Sequence, residues 1–325
     1  MSDSALYRPS YQGLSILRLS MLAIVGLCVS ACSTLTPIAP VAEPVVKAPS
    51  VALVLGGGGA KGFAHVGVIK ALEENGIKPT LIVGTSVGSL IGSLYASGYT
   101  SVELEQLALT TTDSQLTDFT LSNQGFVEGI KLKNFVNEKV RGQVIEDFPI
   151  TFAAIAAEKD TLKKAVLTTG DAGLAVQASC SVPNIFIAPR IPEKVGKKYI
   201  DGGVVSLVPV DSARDLGADI VIAVDVTAAQ INGATDNRAL TISSLSDFWG
   251  FLETNVVSPT NRSPSIHRER DRADIVITPN VSHNSSIDTR QRRSLIEAGA
   301  QATTPQINAI KQLIREKSKS KYATL

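Results

Sequence analysis

Apolar positions recur along residues 51–98 in two alternating patterns. Residues 51–55 form a continuous apolar run of the kind that is buried on both faces of a parallel sheet. After a glycine-rich loop, apolar residues at helical spacing continue to Asn75-Gly76. A second apolar run at residues 81–83 then leads into another helical segment at residues 89–96. This β-α-β-α order predicts an α/β fold, with a mostly parallel central sheet and helices on both of its faces.

The remaining chain continues this pattern with one interruption. Residues 101–147 have helical apolar spacing, and we expect them to pack on the sheet, although they could also cover a site. The later elements are expected to be strands at residues 151–157 and 163–168, a helix and a strand at residues 209–216 and 219–226, a last strand at residues 275–277 and a last helix at residues 295–314. The pattern predicts one folded domain over residues 51–325.

The first 31 residues have the features of an export signal. Arg8 and Arg18 precede an apolar stretch at residues 19–31, which is shorter than the roughly 20 residues needed to span a bilayer. A positive flank, a short apolar stretch and small residues at its end predict a secretory signal peptide over residues 1–31.

The end of this segment, Val29-Ser30-Ala31-Cys32, resembles the lipobox of bacterial lipoproteins. The resemblance implies cleavage before Cys32 and acylation of its sulfur and of the new N-terminus. Residues 33–50 hold four prolines without helical spacing, so residues 32–50 are expected to form a lipidated cysteine and an extended tether. Ser33, rather than Asp, follows the cysteine, which in such lipoproteins implies the outer membrane. We therefore expect a lipid-anchored protein of the bacterial cell envelope, on the outer membrane and facing the periplasm.

Charge and cysteine content exclude several classes of function. The 325-residue chain carries 31 Lys and Arg against 30 Asp and Glu, so it lacks the basic field on which nucleic-acid binding depends. Its 44% of hydrophobic residues can form a full core and rule out disorder as the dominant state. Three cysteines are too few for a disulfide framework or a four-ligand zinc site. With no metal-ligand spacing apparent, we expect no metal and no cofactor.

The loop at residues 56–62, GGGGAKG, allows three interpretations. A Walker A motif requires Ser or Thr after the lysine, where this chain has Gly62. A dinucleotide fingerprint fits at Gly57, Gly59 and Gly62, but Gly84-Thr85-Ser86 stands where an acidic residue should hold the ribose. The third interpretation is an oxyanion hole, because glycines let backbone N–H groups approach a ligand and the following helix N-terminus adds positive potential.

Residues 84–88, GTSVG, match the G-x-S-x-G nucleophile elbow. In this motif the serine, here Ser86, lies on a sharp strand-to-helix turn, and Gly84 and Gly88 lack the Cβ atoms that would clash there. The N–H of Val87 can point at a developing oxyanion. Because the motif follows a strand and precedes a helix, it predicts that Ser86 is a nucleophile.

A nucleophilic serine needs a base, and the chain offers two kinds. His267 or His283 could complete a Ser-acid-His triad, although neither residue ends a clear strand. The alternative is a carboxylate. The run Asp201-Gly202-Gly203 ends a short apolar strand, and its glycines allow a tight turn and a close approach to another loop. Asp225 is a competitor that also lies late in a strand, but no glycine turn follows it.

Taken together, these motifs resemble those of the patatin-like phospholipase family. The matches, in the order and spacing of the family, are its Gly-Gly-Gly-x-Lys/Arg-Gly motif at residues 57–62, its serine elbow at residues 84–88 and its aspartate motif at residues 201–203. Residues 64–68, 178–183 and 216–219 also look like the bacterial branch of the family. The resemblance covers roughly residues 50–230. One departure is that Ser206 and Leu207 precede a Pro-Val pair where related sequences commonly carry Asn.

The resemblance implies a three-layer α/β/α fold and a Ser-Asp dyad without a catalytic histidine. In that scheme Asp201 accepts the proton of Ser86, which attacks an ester carbonyl and forms an acyl-enzyme. The implied oxyanion donors are Gly57, Gly58 and Gly59, together with Val87. Residues expected to support the motifs are Lys61, Gly62, Gly84, Gly88, Gly202 and Gly203. The expected function is a phospholipase A or lipid esterase that acts on phospholipid or another lipid ester; the alternative is a non-catalytic lipid-binding lipoprotein.

Overall fold

The computed structural model describes residues 48–228 and 269–323, except residues 121, 123 and 287, with side chains up to residue 319. The expected signal peptide, Cys32 and the tether up to residue 47 lie outside the described residues, and so does His267. Within the described part of the chain, no helix is both long and apolar enough to cross a membrane.

The described residues form eight strands and nine α-helices, joined by short 3₁₀ turns. The strands are β1 (Val51–Leu55), β2 (Leu81–Thr85), β3 (Thr151–Glu158), β4 (Lys164–Leu167), β5 (Arg190–Ile191), β6 (Lys197–Asp201), β7 (Ile220–Val224) and β8 (Ile275–Ile277). The helices are α1 (Phe63–Glu74), α2 (Val87–Ala96), α3 (Ser101–Thr110), α4 (Asp113–Leu116), α5 (Ile130–Lys139), α6 (Ala172–Ser179), α7 (Val210–Asp215), α8 (Arg292–Thr303) and α9 (Ile307–Ala323).

The strands form one sheet in which β3, β2, β1, β7 and β8 are successive neighbours, β4 and β6 also pair with β3, and β5 pairs with β6. The pairs among β3, β2, β1, β7 and β8 are parallel, which confirms the mostly parallel sheet. Strands β4, β5 and β6 add antiparallel pairs at one side. Strands β1, β2 and β7 are buried at every residue, as strands covered on both faces must be, whereas β4 and β6 begin with exposed lysines.

Helices cover both faces of the sheet, which gives the three-layer arrangement. Alternate side chains of β1 point to opposite faces. Leu53 and Leu55 join the larger core, which also receives α1, α2, α3, α5, α6, α8 and α9. Ala52 and Val54 join the smaller core beneath α7. The glycine loop and the elbow motif follow β1 and β2, so they lie at the carboxyl edge of the sheet between these two layers.

Two expected helical segments differ from the structure. Residues 295–314 were expected to form one helix but form α8 and α9, separated by the 3₁₀ turn Thr304–Gln306. Pro305 lies in that turn, and a proline inside a helix lacks an N–H donor and clashes with the preceding turn. Residues 101–147 contain three separate helices, α3, α4 and α5, rather than a continuous helical layer.

Candidate active site

The turn between β2 and α2 holds Ser86 in a strained conformation. Ser86 has φ 53° and ψ −125°, a backbone region that non-glycine residues rarely adopt. A Cβ on Gly88 would lie 2.1 Å from the carbonyl oxygen of Leu55, and a Cβ on Gly84 would lie 2.4 Å from that of Gly88. The two glycines therefore let α2 begin directly against the end of β1. The Ser86 side chain faces a cavity, as the elbow motif requires.

Hydrogen bonds from neighbouring serines fix this turn. The Ser86 N–H donates to Ser179 Oγ over 2.9 Å, and Ser179 Oγ donates to the carbonyl oxygen of Ile155 over 2.6 Å. Ser89 Oγ donates to the Ser86 carbonyl oxygen over 2.7 Å. Ser179 lies at the end of α6, and sequence reasoning assigned it no role, although it belongs to the family-like segment at residues 178–183. Contacts with β3 and α6 thus stabilise the strained conformation of Ser86.

Strand pairing along β3 brings Asp201 next to Ser86. One edge of β3 is taken by β4. The other edge pairs first with β2, which ends with Thr85 opposite Ile155, and then with β6, in which Asp201 lies opposite Ala156. Strands β2 and β6 therefore meet end to end on one edge, and Ser86 directly follows Thr85. The register of the sheet, rather than a flexible loop, sets the proximity of the two side chains.

Asp201 has the environment of a poised base. Its side chain is fully buried, and Oδ1 accepts a hydrogen bond from the Gly203 N–H over 2.7 Å. Oδ2 is also buried and has no hydrogen-bond partner among the described residues. Burial raises the pKa of Asp201 to about 6, and the Ser86 hydroxyl and the Gly203 N–H oppose that rise. A carboxylate with such a pKa is a better base near neutral pH than an exposed aspartate.

Asp225, the competing carboxylate, is engaged in other contacts. Asp225 accepts hydrogen bonds from the N–H groups of Thr227 and Ala228 and forms an ion pair with Arg270. His283 lies exposed in a turn of the chain. His267 lies outside the described residues, so the triad that would use it stays a prediction.

His65, on α1, supports the glycine loop. Its ring is fully buried, and Nε2 donates to the carbonyl oxygen of Gly56 over 2.8 Å. Burial lowers the pKa of His65 to about 4, against the opposing effects of the Gly56 bond and the charge of Asp225. His65 is therefore neutral at physiological pH and holds the backbone at the start of the loop.

The glycine loop lies directly against Ser86. A Cβ on Gly57 would be 3.4 Å from the Ser86 Cβ, and a Cβ on Gly62 would be 2.4 Å from the Val87 side chain. Lys61 is buried within the 3₁₀ turn Gly59–Gly62. A side chain at Gly62 would therefore clash with Val87, whereas a Cβ at Gly57 would only be in van der Waals contact with Ser86.

One expected oxyanion donor is already in use. The Gly57 N–H donates to the carbonyl oxygen of Leu207 over 3.0 Å, so in this structure it does not face the site as the sequence predicted. The Gly58 N–H has no partner among the described residues. Gly59 and Val87 each begin a helical turn, where the first N–H has no partner within the helix, and both line the cavity with Ser86. Gly58, Gly59 and Val87 are thus the available donors.

An apolar cavity of about 250 Å³ extends from Ser86. Its lining is mostly hydrophobic and includes Phe63, Leu90, Ile91, Leu94, Leu104, Leu107, Ala108, Leu116, Leu132, Phe135, Val182 and Phe186. Helices α3 and α5 contribute several of these side chains. Helix α3 packs mainly on α1 and helix α5 on α6, rather than directly on the sheet as expected, and both helices also line the cavity.

Cys180 lines the same cavity but lacks the features of a reactive thiol. Its thiol lies 3.9 Å from Ser89 Oγ. Burial and the nearby charge of Asp201 raise the pKa of the Cys180 thiol far above neutrality. The thiol is therefore protonated and forms part of the cavity wall.

Arg292 closes the polar end of the cavity. Its guanidinium donates to the carbonyl oxygens of Ala108 and Thr111, pairs with Asp113 over 3.0 Å and lies over the ring of Phe63. This side chain begins α8, so the C-terminal part of the chain completes the cavity wall. Among the described residues, no cluster of His, Cys, Asp and Glu is arranged to hold a metal ion.

Comparison with known proteins agrees with this geometry. The family model for patatin-like phospholipase matches residues 53–214, which include the glycine loop, Ser86 and Asp201. The chain belongs to the patatin-like phospholipase family. Residues 269–323, including Arg292, lie beyond the matched part of this patatin-like chain.

Relatives of the patatin-like chain occur in animals and bacteria. It is 33% identical over 228 residues to a patatin-like phospholipase domain-containing protein of Caenorhabditis elegans, which covers 68% of this chain and 16% of the relative. It is also 33% identical over 193 residues to an uncharacterized NTE family protein of Mycobacterium tuberculosis, which covers 58% of this chain and 52% of the relative. The match thus spans about half of the mycobacterial relative and a much smaller part of the nematode relative.

The crystal structure of VipD from Legionella pneumophila has a similar fold. The two structures match with a TM-score of 0.54 over 81% of this chain and 67% of the other, at 15% sequence identity. A likeness at this level of identity concerns the fold alone, and it agrees with the three-layer α/β/α architecture of the patatin-like chain.

Proposed function

We propose that the protein is a lipid acyl hydrolase, a phospholipase A or lipid esterase, with Ser86 as nucleophile and Asp201 as base. The observation that carries this proposal is the pairing of a strained serine with a buried carboxylate whose Oδ2 has no partner in the described residues. Family membership supports a lipid substrate. The apolar cavity beside Ser86 suits an acyl chain, because each buried CH₂ group contributes about 0.8 kcal/mol to binding.

The proposed reaction proceeds in two steps. Asp201 takes the proton of the Ser86 hydroxyl as Oγ attacks the ester carbonyl, and the alcohol part of the lipid leaves with that proton. The Gly58, Gly59 and Val87 N–H groups stabilise the tetrahedral oxyanion, and each such donor typically contributes about 10²–10³-fold in rate. Water then gives a proton to Asp201 and attacks the acyl-enzyme; the fatty acid is released as Asp201 returns that proton to Ser86 Oγ, which restores both residues.

Ser86→Ala is expected to abolish fatty-acid release from phospholipid vesicles and labelling by a fluorophosphonate probe. The reason is that the acyl-enzyme needs the Ser86 oxygen. Release of fatty acid and mass spectrometry of the labelled protein provide the measurement. Ser114→Ala, at an exposed serine of α4, is the matched control and should behave as wild type. A wild-type protein that binds vesicles without hydrolysis or labelling would instead be a non-catalytic lipid-binding lipoprotein.

We also propose that a lipid on Cys32 anchors the mature protein in the bacterial cell envelope, on the outer membrane and facing the periplasm. The lipobox-like residues 29–32 support this proposal. Cys32→Ala should prevent incorporation of labelled palmitate and move the protein out of the membrane fraction, whereas Cys28→Ala should do neither. Palmitate incorporation that persists in Cys32→Ala would contradict the assignment.

A further inference from the structure

The connector Ser206–Leu207 touches all three catalytic segments. The Ser206 N–H donates to the carbonyl oxygen of Gly202, in the turn that follows Asp201, over 2.8 Å. The Ser206 carbonyl oxygen accepts from Thr85 Oγ1, next to Ser86, over 2.9 Å. The next carbonyl oxygen, that of Leu207, accepts from the Gly57 N–H over 3.0 Å. The position of this connector therefore sets how the acid turn, the nucleophile strand and the glycine loop lie relative to one another.

A buried glutamate far along the chain holds the connector in place. Glu269 Oε2 accepts a hydrogen bond from Ser206 Oγ over 2.7 Å, and Oε1 accepts one from the Asp211 N–H over 3.0 Å. The Lys164 ammonium lies 3.8 Å from Oε1. Glu269 is only 3% exposed, and a buried carboxylate is retained at such a site only with partners of this kind.

Glu269 is itself fixed to the sheet. The next residue, Arg270, forms an ion pair with Asp225 at the end of β7. Burial raises the pKa of Glu269, and the Ser206 hydroxyl and the Lys164 charge oppose that rise. The side chain is thus anchored at both ends: by its own backbone near β7, and by its carboxylate at the connector.

We propose that Glu269 is a positioning residue for acyl transfer, which acts through Ser206 to keep the glycine loop and Ser86 in register. Glu269 lies beyond the family match at residues 53–214 and does not line the cavity, so it contacts neither the acyl chain nor the reacting atoms. The inference rests on the proposed role of Ser86 as nucleophile. Its consequence is that the C-terminal segment, and not only the matched domain, sets catalytic geometry.

The first test compares Glu269→Ala and Glu269→Gln in the full-length protein. We expect Glu269→Ala to lower kcat on a soluble p-nitrophenyl ester, and the rate of fluorophosphonate labelling, by at least about 10-fold, because misplacement by about 1 Å can cost 10²-fold. KM should stay nearly unchanged, since the cavity lining is intact. Glu269→Gln keeps an acceptor for Ser206 and should restore the rate to within about threefold of wild type. Glu138→Ala, at an exposed glutamate paired with Lys139, is the control.

Ser206→Ala removes the same hydrogen bond from the other side and keeps the test decisive if Glu269→Ala does not fold. It should lower the labelling rate with a smaller loss of melting temperature. The double variant should label no more slowly than Glu269→Ala alone, because residues that act through one bond are not additive.

Separate outcomes overturn the inference and the proposed function. The positioning role would be contradicted if folded Glu269→Ala or Ser206→Ala were labelled at the wild-type rate. It would also be contradicted if the effects on the labelling rate added up in the double variant, or if Glu269→Gln lost as much kcat as Glu269→Ala. If wild-type protein is not labelled at Ser86, the proposed function fails and the positioning role falls with it. If wild type is labelled, Ser86→Ala is not, and Glu269→Ala is labelled at the wild-type rate, then the proposed function stands and only the positioning role is contradicted.

Discussion

Asp201→Asn is expected to lower kcat for ester hydrolysis by about 10²–10⁴-fold, the range that a general base contributes. The Asn carbonyl oxygen can replace Oδ1 as the acceptor for the Gly203 N–H. Its amide nitrogen would then occupy the place of Oδ2, the atom that is free to take the Ser86 proton, and an amide nitrogen cannot accept that proton. The fold of the turn should survive while the chemistry is lost.

The same substitution is expected to stabilise the protein at neutral pH. Burial raises the pKa of Asp201 from 3.8 to about 6, so the folded state holds a proton that the unfolded state releases. This group's contribution to stability is complete below pH 3.8 and is lost as the pH rises through about 6. The lost contribution is roughly 3 kcal/mol, and asparagine does not titrate, so it avoids this loss. Stability and activity are thus opposed at this residue.

Thermal unfolding and kcat, both measured from pH 4 to pH 8, check this prediction. Wild-type kcat should rise with pH through about 6, and the melting temperature of Asp201→Asn should exceed that of wild type above that pH. Asp160→Asn, at an exposed aspartate in the turn after β3, is the matched control and should keep both the kcat and the melting temperature of wild type. Activity retained in Asp201→Asn and lost in His267→Ala or His283→Ala would identify a triad in place of the dyad.

The sequence could predict the elements on which the motifs lie, because their signals are local. A continuous apolar run predicted β1, glycine spacing predicted the turns around it, and the elbow motif placed Ser86 between a strand and a helix. The Asp201-Gly202-Gly203 run predicted a tight turn at a strand end. In each case a few adjacent residues contain the whole physical reason for the structure.

Features that depend on distant residues could not be predicted in this way. The approach of Asp201 to Ser86 depends on β2 and β6 sharing one edge of β3, and antiparallel pairing leaves no local sign. The use of the Gly57 N–H by Leu207 and the burial of Glu269 against Ser206 join residues more than 60 positions apart. The apolar cavity likewise needs side chains from α3, α5 and α8 to meet beside α2.

Gly88→Ala is expected to damage both the fold and the activity, because its Cβ would clash with the backbone where β1 passes into the glycine loop. It would lie 2.1 Å from the carbonyl oxygen of Leu55 and 2.8 Å from that of Gly56. Neither atom can move without shifting the end of β1 or the glycine loop. Overpacking of this kind typically costs 1–3 kcal/mol, and displacement of Ser86 from its donors should lower kcat by about 10²-fold.

Gly92→Ala, one turn later on α2, separates the steric cost from the catalytic one. Its nearest contact would be a methyl group of Ile82 at 2.9 Å, a side-chain atom that can shift, and the elbow itself would stay in place. We expect a modest fall in melting temperature with kcat and fluorophosphonate labelling close to wild type. Equal losses of kcat in both variants would mean that any added volume in α2 disturbs Ser86. If only Gly88→Ala loses kcat, then activity depends on the close contact between the elbow and the end of β1, which holds Ser86 in its strained conformation.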